Sequence, residues 1–437
     1  MNNRRITYYH LLGLFIVAVC TRLLYFWLAS DFLGFEQFSH YANDSRLYLL
    51  IAEHILSGHE MGAYGLLRVG PGYGLLLAAT KFIFGANPIW PIMLNIFLGG
   101  LAAVFVYLLA YQLFSSRAVA LIAGGFCALS LTSVSISCHI LTDQPFFTFH
   151  IAALVCFVRG YKSGQINWYL LAGVLAGYGA YIRPVGQIWP FIFIFLLFVL
   201  PLSKNYQTRL DFIKRAGLTG LVMLLMVLGW SARNYAIHDM FIFGTNGALT
   251  VRSCLVAQSA EKNWEEGKTI VDYREEWEAE DGDRTALYRA AYPRAKDRII
   301  KEFKANPLGI LQLYFRNVKE NMVADNYYAA RQIPQIRGFM LQLNKAVRKW
   351  LGFILMVMTL TGLVLMFKRG HLLSAWLLGV TYFSFSIILG ASFWQGSRLH
   401  YPAEMAWSIV VSYLVVESFI KGRAVWSEWQ SVKSAGG

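Results

Sequence analysis

Residues 40–58, HYANDSRLYLLIAEHILSG, decide how the chain is read. They follow the first long apolar run, at 9–29, while the next run able to span a bilayer begins only at 88. A chain that has just crossed a membrane can turn round within a few residues. This one instead sets an aspartate, Asp44, at the head of a segment in which Leu47, Leu50, Ile51, His54 and Ile55 recur at i, i+3, i+4, i+7 and i+8. The spacing predicts an amphipathic helix over 45–57, with Asn43 or Asp44 at its N-cap and Gly58 at its stop. Such a helix lies on a membrane surface rather than crossing it. The stretch that follows, LLRVGPGYGLLLAATKFIFG, carries the lone Arg68, a Gly/Pro break and an apolar helix. At about 15 residues that helix is short for a span and reads as re-entrant or surface-bound.

Composition sets the class. The 437 residues are 57% hydrophobic, 16% aromatic and only 15% charged, too apolar for soluble domains. About ten spans are predicted, at 9–29, 88–113, 118–137, 144–160, 167–182, 186–202, 216–232, 350–367, 372–394 and 403–420, against the ~20 residues a bilayer core requires. The net charge of +14 comes from Lys and Arg at the ends of apolar runs: MNNRR, SSR, VRGYKSG, SKNYQTRLDFIKR, FKRG and IKGR. Alternating spans put all of these on one side, which the positive-inside rule makes cytoplasmic, together with both termini. The basicity is thus topological and argues against nucleic acid as a partner. The first apolar segment reads as a retained span rather than a cleaved signal. The five cysteines form neither a disulfide framework nor a metal-ligand spacing.

The fold expected is an α-helical polytopic membrane protein in three parts. An N-terminal transmembrane module, 1–232, holds a first outer loop at 30–87 with juxtamembrane helices. An outer-face, mainly helical soluble region covers 233–349, and a C-terminal transmembrane module with a cytoplasmic tail covers 350–437. The acidic run 261–283 cannot cross hydrocarbon. The sequence after it reads as two or more amphipathic helices punctuated by Pro293 and Pro307.

Under this topology the carboxylates at the outer boundary are Asp31, Glu36, Asp44, Asp143 and Glu404. The bases are Arg68, Arg183, Arg233 and Arg398, with His139 and His400 nearby. Ionisable groups at membrane depth are costly and by default mark a site. Arginines grip phosphate through charge-assisted bidentate hydrogen bonds, and a carboxylate deprotonates an incoming hydroxyl. The pairing fits group transfer from a lipid-anchored phosphate. Each residue also has a plainer role open to it. Asp44 and Asp143 sit where caps belong, a cap being worth roughly 1 kcal/mol, and the arginines can snorkel to the interface.

In order along the chain, these motifs resemble those of the GT-C glycosyltransferases, in the polyprenyl-phosphate-sugar-dependent branch of protein O-mannosyltransferases and lipid A aminoarabinose transferases (family 39-like). NDSRLYLLIAEHILSG is similar to the Asp-led first juxtamembrane helix, with Asp44 and Tyr48 in D-x-x-x-Y spacing. RVGPGYGLLLAATKFIFG resembles a basic residue followed by a turn bearing Pro and Tyr73. HILTDQPFFTF, AGYGAYIRPVG, GWSARNYAIHDMFIFGTNGA and SRLHYPAEMAW resemble the later elements. The resemblance implies a GT-C-like bundle in a bacterial inner membrane and an inverting transfer of a hexose or pentose at the periplasmic face. The donor would be a polyprenyl-phosphate sugar and the acceptor a lipid, glycan or protein hydroxyl. It implies Asp44 as the catalytic carboxylate and Asp143 as a second acid. Arg68, Arg233 and Arg398 would be phosphate contacts, and Tyr48, Tyr73, His139 and Arg183 substrate contacts. A divalent cation is neither required nor excluded. One departure is that many relatives carry Asp-Glu at the helix start, where Ser45 stands here. The alternative reading is a transporter or flippase of lipid-linked sugars. It would place charges near mid-membrane and show repeated halves, and no repeat is evident.

Overall fold

The computed structural model describes residues 3–58, 69–189, 206–256, 284–322, 332, 350, 352–392 and 398–435. Among them every regular element is helical. In chain order these are α1 (Asn3–Leu33), α2 (Phe35–Ser39), α3 (Asn43–Leu56), α4 (Gly72–Phe84), α5 (Ile89–Phe114), α6 (Arg117–Leu129), α7 (Leu131–Ser137), α8 (Asp143–Ser163) and α9 (Ile166–Ile182). There follow α10 (Tyr206–His238), α11 (Asn246–Thr250), α12 (Arg284–Ala305), α13 (Pro307–Met322), α14 (Gly352–Lys368), α15 (Leu372–Ile388) and α16 (Glu404–Ala435).

Four helical stretches are long and apolar enough to cross a bilayer: Tyr8–Leu33, Ile89–Phe114, Leu210–His238 and Tyr401–Arg423. The pair α6 and α7, bent by 50° at one residue, makes a fifth. The chain is a multi-pass helical membrane protein. Nine of the ten expected spans coincide with a helix or with this bent pair, and the tenth, 186–202, falls mostly outside the described residues. Helices α9, α14 and α15, at 17 residues each, are shorter than the length criterion for a span. Small residues let neighbours approach where lipid supplies no hydrophobic drive. Gly173 and Gly177 of α9 face α10 so closely that a Cβ would meet Thr219 O at 2.8 Å and Met226 Sδ at 2.4 Å.

The bend between α6 and α7 has a local cause. Ser130 adopts extended backbone angles, closes α6, and opens α7 by accepting a hydrogen bond from the Ser133 amide at 3.3 Å. Helix α3 lies close to the range expected, but its cap does not. Ala42 holds the N-cap position, and Asn43 and Asp44 already belong to the first turn. Asp143 likewise follows the N-cap Thr142 rather than occupying it. Of the two prolines expected to punctuate, Pro307 opens α13, whereas Pro293 lies inside α12. The acidic run 261–283 lies outside the described residues.

Candidate active site

Four segments remote in sequence meet at one end of the bundle. The start of α3 is anchored by Ser45, fully buried, whose hydroxyl donates to Ile140 O at 3.1 Å. The serine standing where many relatives carry a second acid thus fastens α3 to the turn before α8. That turn is held from behind by Asn95, whose amide donates to His139 O at 2.7 Å and Leu141 O at 3.2 Å, and also to Tyr73 Oη at 3.0 Å. The Gly70-Pro71-Gly72 break lies against the end of α9. A Cβ on Gly70 would stand 2.2 Å from Tyr181 O, and one on Gly72 2.8 Å from Ile182 N. Only glycine allows this approach, and Tyr178 Oη secures it by donating to Gly72 O at 3.0 Å. The chain then leaves α9 through Arg183, in extended conformation, and Pro184 starts a short turn.

These anchors bring two aspartates and two arginines together. Arg398 bridges both acids: its Nη2 donates to Asp44 Oδ2 at 2.9 Å and its Nε to Asp143 Oδ2 at 2.9 Å. Arg183 donates to the other oxygen of Asp143. The Asp143 side chain is fully buried, those of Arg398 and Arg183 are 14% and 18% exposed, and that of Asp44 is 38% exposed. The four charges cancel, so the cluster is close to neutral as it stands. Beside it opens a cavity of about 590 Å³ lined by Asp44, Tyr48, Arg183 and Arg398 among others. Gly244, Asn246, Gly247 and Thr250 also line it. Ser392 adds a hydroxyl near the end of α15. Helix α13 braces that end, with Asn317 donating to Gly390 O at 3.4 Å and Asn321 to Ser392 O at 3.2 Å.

The other expected contacts are distributed differently. Tyr48 lines the cavity, packed edge-on against Tyr73 with ring centroids 5.1 Å apart. Burial, reinforced by the charge of Asp44, raises the Tyr48 phenol above its ordinary range, so it serves as a neutral hydroxyl. Tyr73 is buried one layer behind, bonded to Asn95. His139 lies under the floor, its Nε2 3.1 Å from Gln332 Oε1 and its ring stacked on Tyr41. Burial lowers its pKa to about 4, which leaves a neutral ring rather than a cation. Arg233 sits over the Trp230 ring at 4.8 Å and donates to Asn234 Oδ1 at 3.0 Å; it is not among the residues lining the cavity. Arg68 lies outside the described residues, next to Val69, which does line the cavity. Both Asp143 oxygens already accept guanidinium N–H groups, and among the described residues no three His, Cys, Asp or Glu side chains converge as metal ligands do. The cluster as arranged does not offer a divalent cation a carboxylate cage. Asn246 lies at the end of the quoted motif GWSARNYAIHDMFIFGTNGA, whereas Thr250, just beyond it, carried no signal.

Comparison with known proteins agrees with this architecture. The family model for dolichyl-phosphate-mannose-protein mannosyltransferases matches residues 68–230. The fold is similar to that of the archaeal oligosaccharyltransferase AglB from Archaeoglobus fulgidus, solved with an inhibitory peptide and a dolichol-phosphate. The TM-score is 0.59 at 17% identity, covering 98% of this chain and 52% of that one. A second structure of the Archaeoglobus fulgidus oligosaccharyltransferase, with Zn and sulfate, gives 0.56 at 15%, covering 97% and 51%. The chain therefore spans about half the length of those proteins. ArnT from Cupriavidus metallidurans bound to undecaprenyl phosphate aligns at 0.41 and 13% identity over 92% and 78%, too loosely to carry an argument. No curated protein matches the sequence. The resemblance to GT-C glycosyltransferases read from the motifs is borne out by the family match and the shared fold.

Proposed function

We propose that this chain, which has the GT-C membrane fold, moves a sugar from a polyprenyl-phosphate-linked donor to an acceptor hydroxyl on the outer face of a bacterial inner membrane. In this reading both termini are cytoplasmic. Modules 1–232 and 350–437 hold the membrane site, and 233–349 approaches it from the periplasm. The observation that carries the reading is the bridge of Arg398 between Asp44 and Asp143 at the edge of a cavity.

The chemistry follows from the charge balance. A donor phosphate entering this neutral cluster competes with the carboxylates for the guanidiniums. The weakest hold is that on Asp44, the more exposed of the two acids. Arg398 passes its Nη2 donors to the phosphate, while Asp143, buried and doubly bonded, keeps Arg183 and the Arg398 Nε in place. Asp44 then accepts the proton of an acceptor hydroxyl. The acceptor oxygen attacks the anomeric carbon from the face opposite the phosphate, its C–O bond forming as the sugar–phosphate C–O bond breaks. Configuration inverts, the lipid phosphate leaves on the arginines, and the proton stays on Asp44.

The test incubates the purified protein, in lipid nanodiscs, with polyprenyl-phosphate hexoses and pentoses and with lipid, glycan and peptide acceptors. Products are identified by mass. The wild type forms a glycosylated acceptor. Asp44→Asn binds donor but loses turnover by about 10²–10⁴-fold, the usual contribution of a general base. Transfer by that variant at the wild-type rate would refute the role given to Asp44.

A further inference from the structure

Behind the acid–arginine cluster lies a second charged group outside the boundary set. Arg22, midway along the first span, is fully buried, and each of its N–H donors has a partner. Nε donates to Ser137 Oγ at 2.9 Å, and Nη1 to Ala18 O at 2.8 Å and Ala128 O at 3.2 Å. Nη2 donates to Ser133 Oγ at 2.6 Å and Cys127 O at 3.4 Å. Glu404, 4% exposed at the head of α16, lies nearby. A Cβ on Gly99 would stand 2.3 Å from Arg22 Nε, so the glycine leaves room for the guanidinium.

The hydrogen bonds beyond Arg22 form a connected network. Ser137 accepts from Arg22, and its single proton is shared between Ser133 O and Gln144 Oε1, the latter at 2.9 Å. Tyr401 Oη donates to the same oxygen at 2.6 Å, so its 3.0 Å contact with Ser133 must be donated by the serine. Gln144 passes its own N–H to Thr148 at 3.0 Å. The side chains are linked in one buried network, in which neighbouring bonds polarise and strengthen one another. The chain ends on the residues that hold the cluster. Gln144 directly follows Asp143, and the Tyr401 amide donates to Arg398 O at 3.3 Å. Two rungs thus join the start of α8 to the turn before α16: Asp143–Arg398 at the cavity and Gln144–Tyr401 behind it.

We infer that Arg22, Ser133, Ser137, Gln144 and Tyr401 are positioning residues, which keep Asp143 and Arg398 in register while Arg398 exchanges partners. The rear rung contains no group that the donor displaces, so it persists when the front one is loosened. The inference rests on the proposed transfer reaction for its kinetic part only.

The experiment compares wild type with Tyr401→Phe, which keeps the ring packed on Phe147, and with Gln144→Met and Gln144→Glu, the last retaining an acceptor oxygen. Turnover and donor KM are measured per folded molecule. Thermal midpoints and amide hydrogen exchange of the 398–403 peptide are followed in parallel. Expected are a fall in kcat of about ten- to a hundredfold with KM nearly unchanged, as small misplacements of reacting groups produce, faster exchange at 398–403, and partial recovery in Gln144→Glu over Gln144→Met. Unchanged kcat and exchange in Tyr401→Phe overturns the inference, as does a lowered midpoint with wild-type kcat, which would make the network merely structural. If the wild type transfers no sugar at all, the reaction reading fails. The exchange comparison still decides the rear rung, accelerated exchange supporting it and unaltered exchange overturning it.

Discussion

Asp143→Asn keeps the shape of a fully buried side chain and removes its charge. Asp143 accepts Arg183 on one oxygen and Arg398 Nε, at 2.9 Å, on the other. An amide offers only one oxygen, so its NH₂ group is forced against one guanidinium, donor to donor. One charge-assisted hydrogen bond, worth about 1.5–3 kcal/mol, disappears and the other weakens. Removing one partner of a buried ion pair costs about 3–5 kcal/mol. The arginines here are 14% and 18% exposed, and Arg398 retains Asp44, so the expected loss lies at the lower end, about 3 kcal/mol. The effect on ligand binding has the opposite sign. Guanidiniums released from Asp143 are free to grip a phosphate, so affinity for undecaprenyl phosphate is retained or rises by up to about tenfold, about 1.4 kcal/mol. Turnover falls, because the arginines are no longer aligned. Equilibrium denaturation in detergent micelles and titration with undecaprenyl phosphate in nanodiscs measure the two on the same preparation. Full stability combined with weakened phosphate binding would refute the reasoning, since Asp143 would then act on the ligand itself rather than through the arginines.

Arg398→Gln should lower phosphate affinity by about 1.5–3 kcal/mol, the value of a hydrogen bond to a charged group, while Arg233→Gln, which does not line the cavity, changes it less than twofold, roughly 0.4 kcal/mol; the same titration compares them. Gly70→Ala drives a methyl into the Tyr181 carbonyl, 2.2 Å from the built Cβ, and should cost about 1–3 kcal/mol. Gly13→Ala, with nothing within 4 Å, is the control in the same denaturation assay. Burial lowers His139 and His400 from 6.5 to about 4. The unfolded chain therefore takes up protons first as pH falls. Stability contributed by the neutral rings is full above the unfolded value and is lost between about pH 6.5 and 4, by at most about 3 kcal/mol for each ring. His139→Asn should flatten that part of the stability–pH curve.

Periodicity and charge placement were enough to locate most of the helices, because each is a property of a few turns of chain. The same applies to α3, whose periodic positions Leu47, Leu50, Ile51, His54 and Ile55 place its range to within two residues. The role of Asp44 within it was less accessible. A cap is a local relation and was a fair expectation, but the partner that takes the carboxylate is Arg398, 354 residues away. Asp143 meets the same arginine across 255 residues, and no spacing rule reaches that far. Ser45 reads locally as a lost acid and is in fact an anchor to Ile140. Arg22 was legible in principle, since a lone arginine inside an apolar run is costly and calls for a partner. A search confined to charges at the outer boundary passes over it. The bend that supplies its carbonyls depends on one serine among several, which hydropathy does not distinguish.

The satisfaction of Arg22 by carbonyls at the α6–α7 bend sets a condition on biogenesis. The first span leaves the ribosome with a guanidinium near its middle whose only partner within that span is Ala18 O, and Ser137, its most distant partner in sequence, lies 115 residues further along. At about 5–20 residues per second, that partner is synthesised on the order of 10 s later. During this interval α1 is a poor transmembrane segment on its own, and the insertion machinery or a chaperone has to shelter it until α6 and α7 arrive. An Arg22→Leu chain would escape that dependence and insert α1 early, yet reach a bundle whose bend keeps only the Thr21 hydroxyl on Ala128 O, at 3.1 Å, from this part of α1.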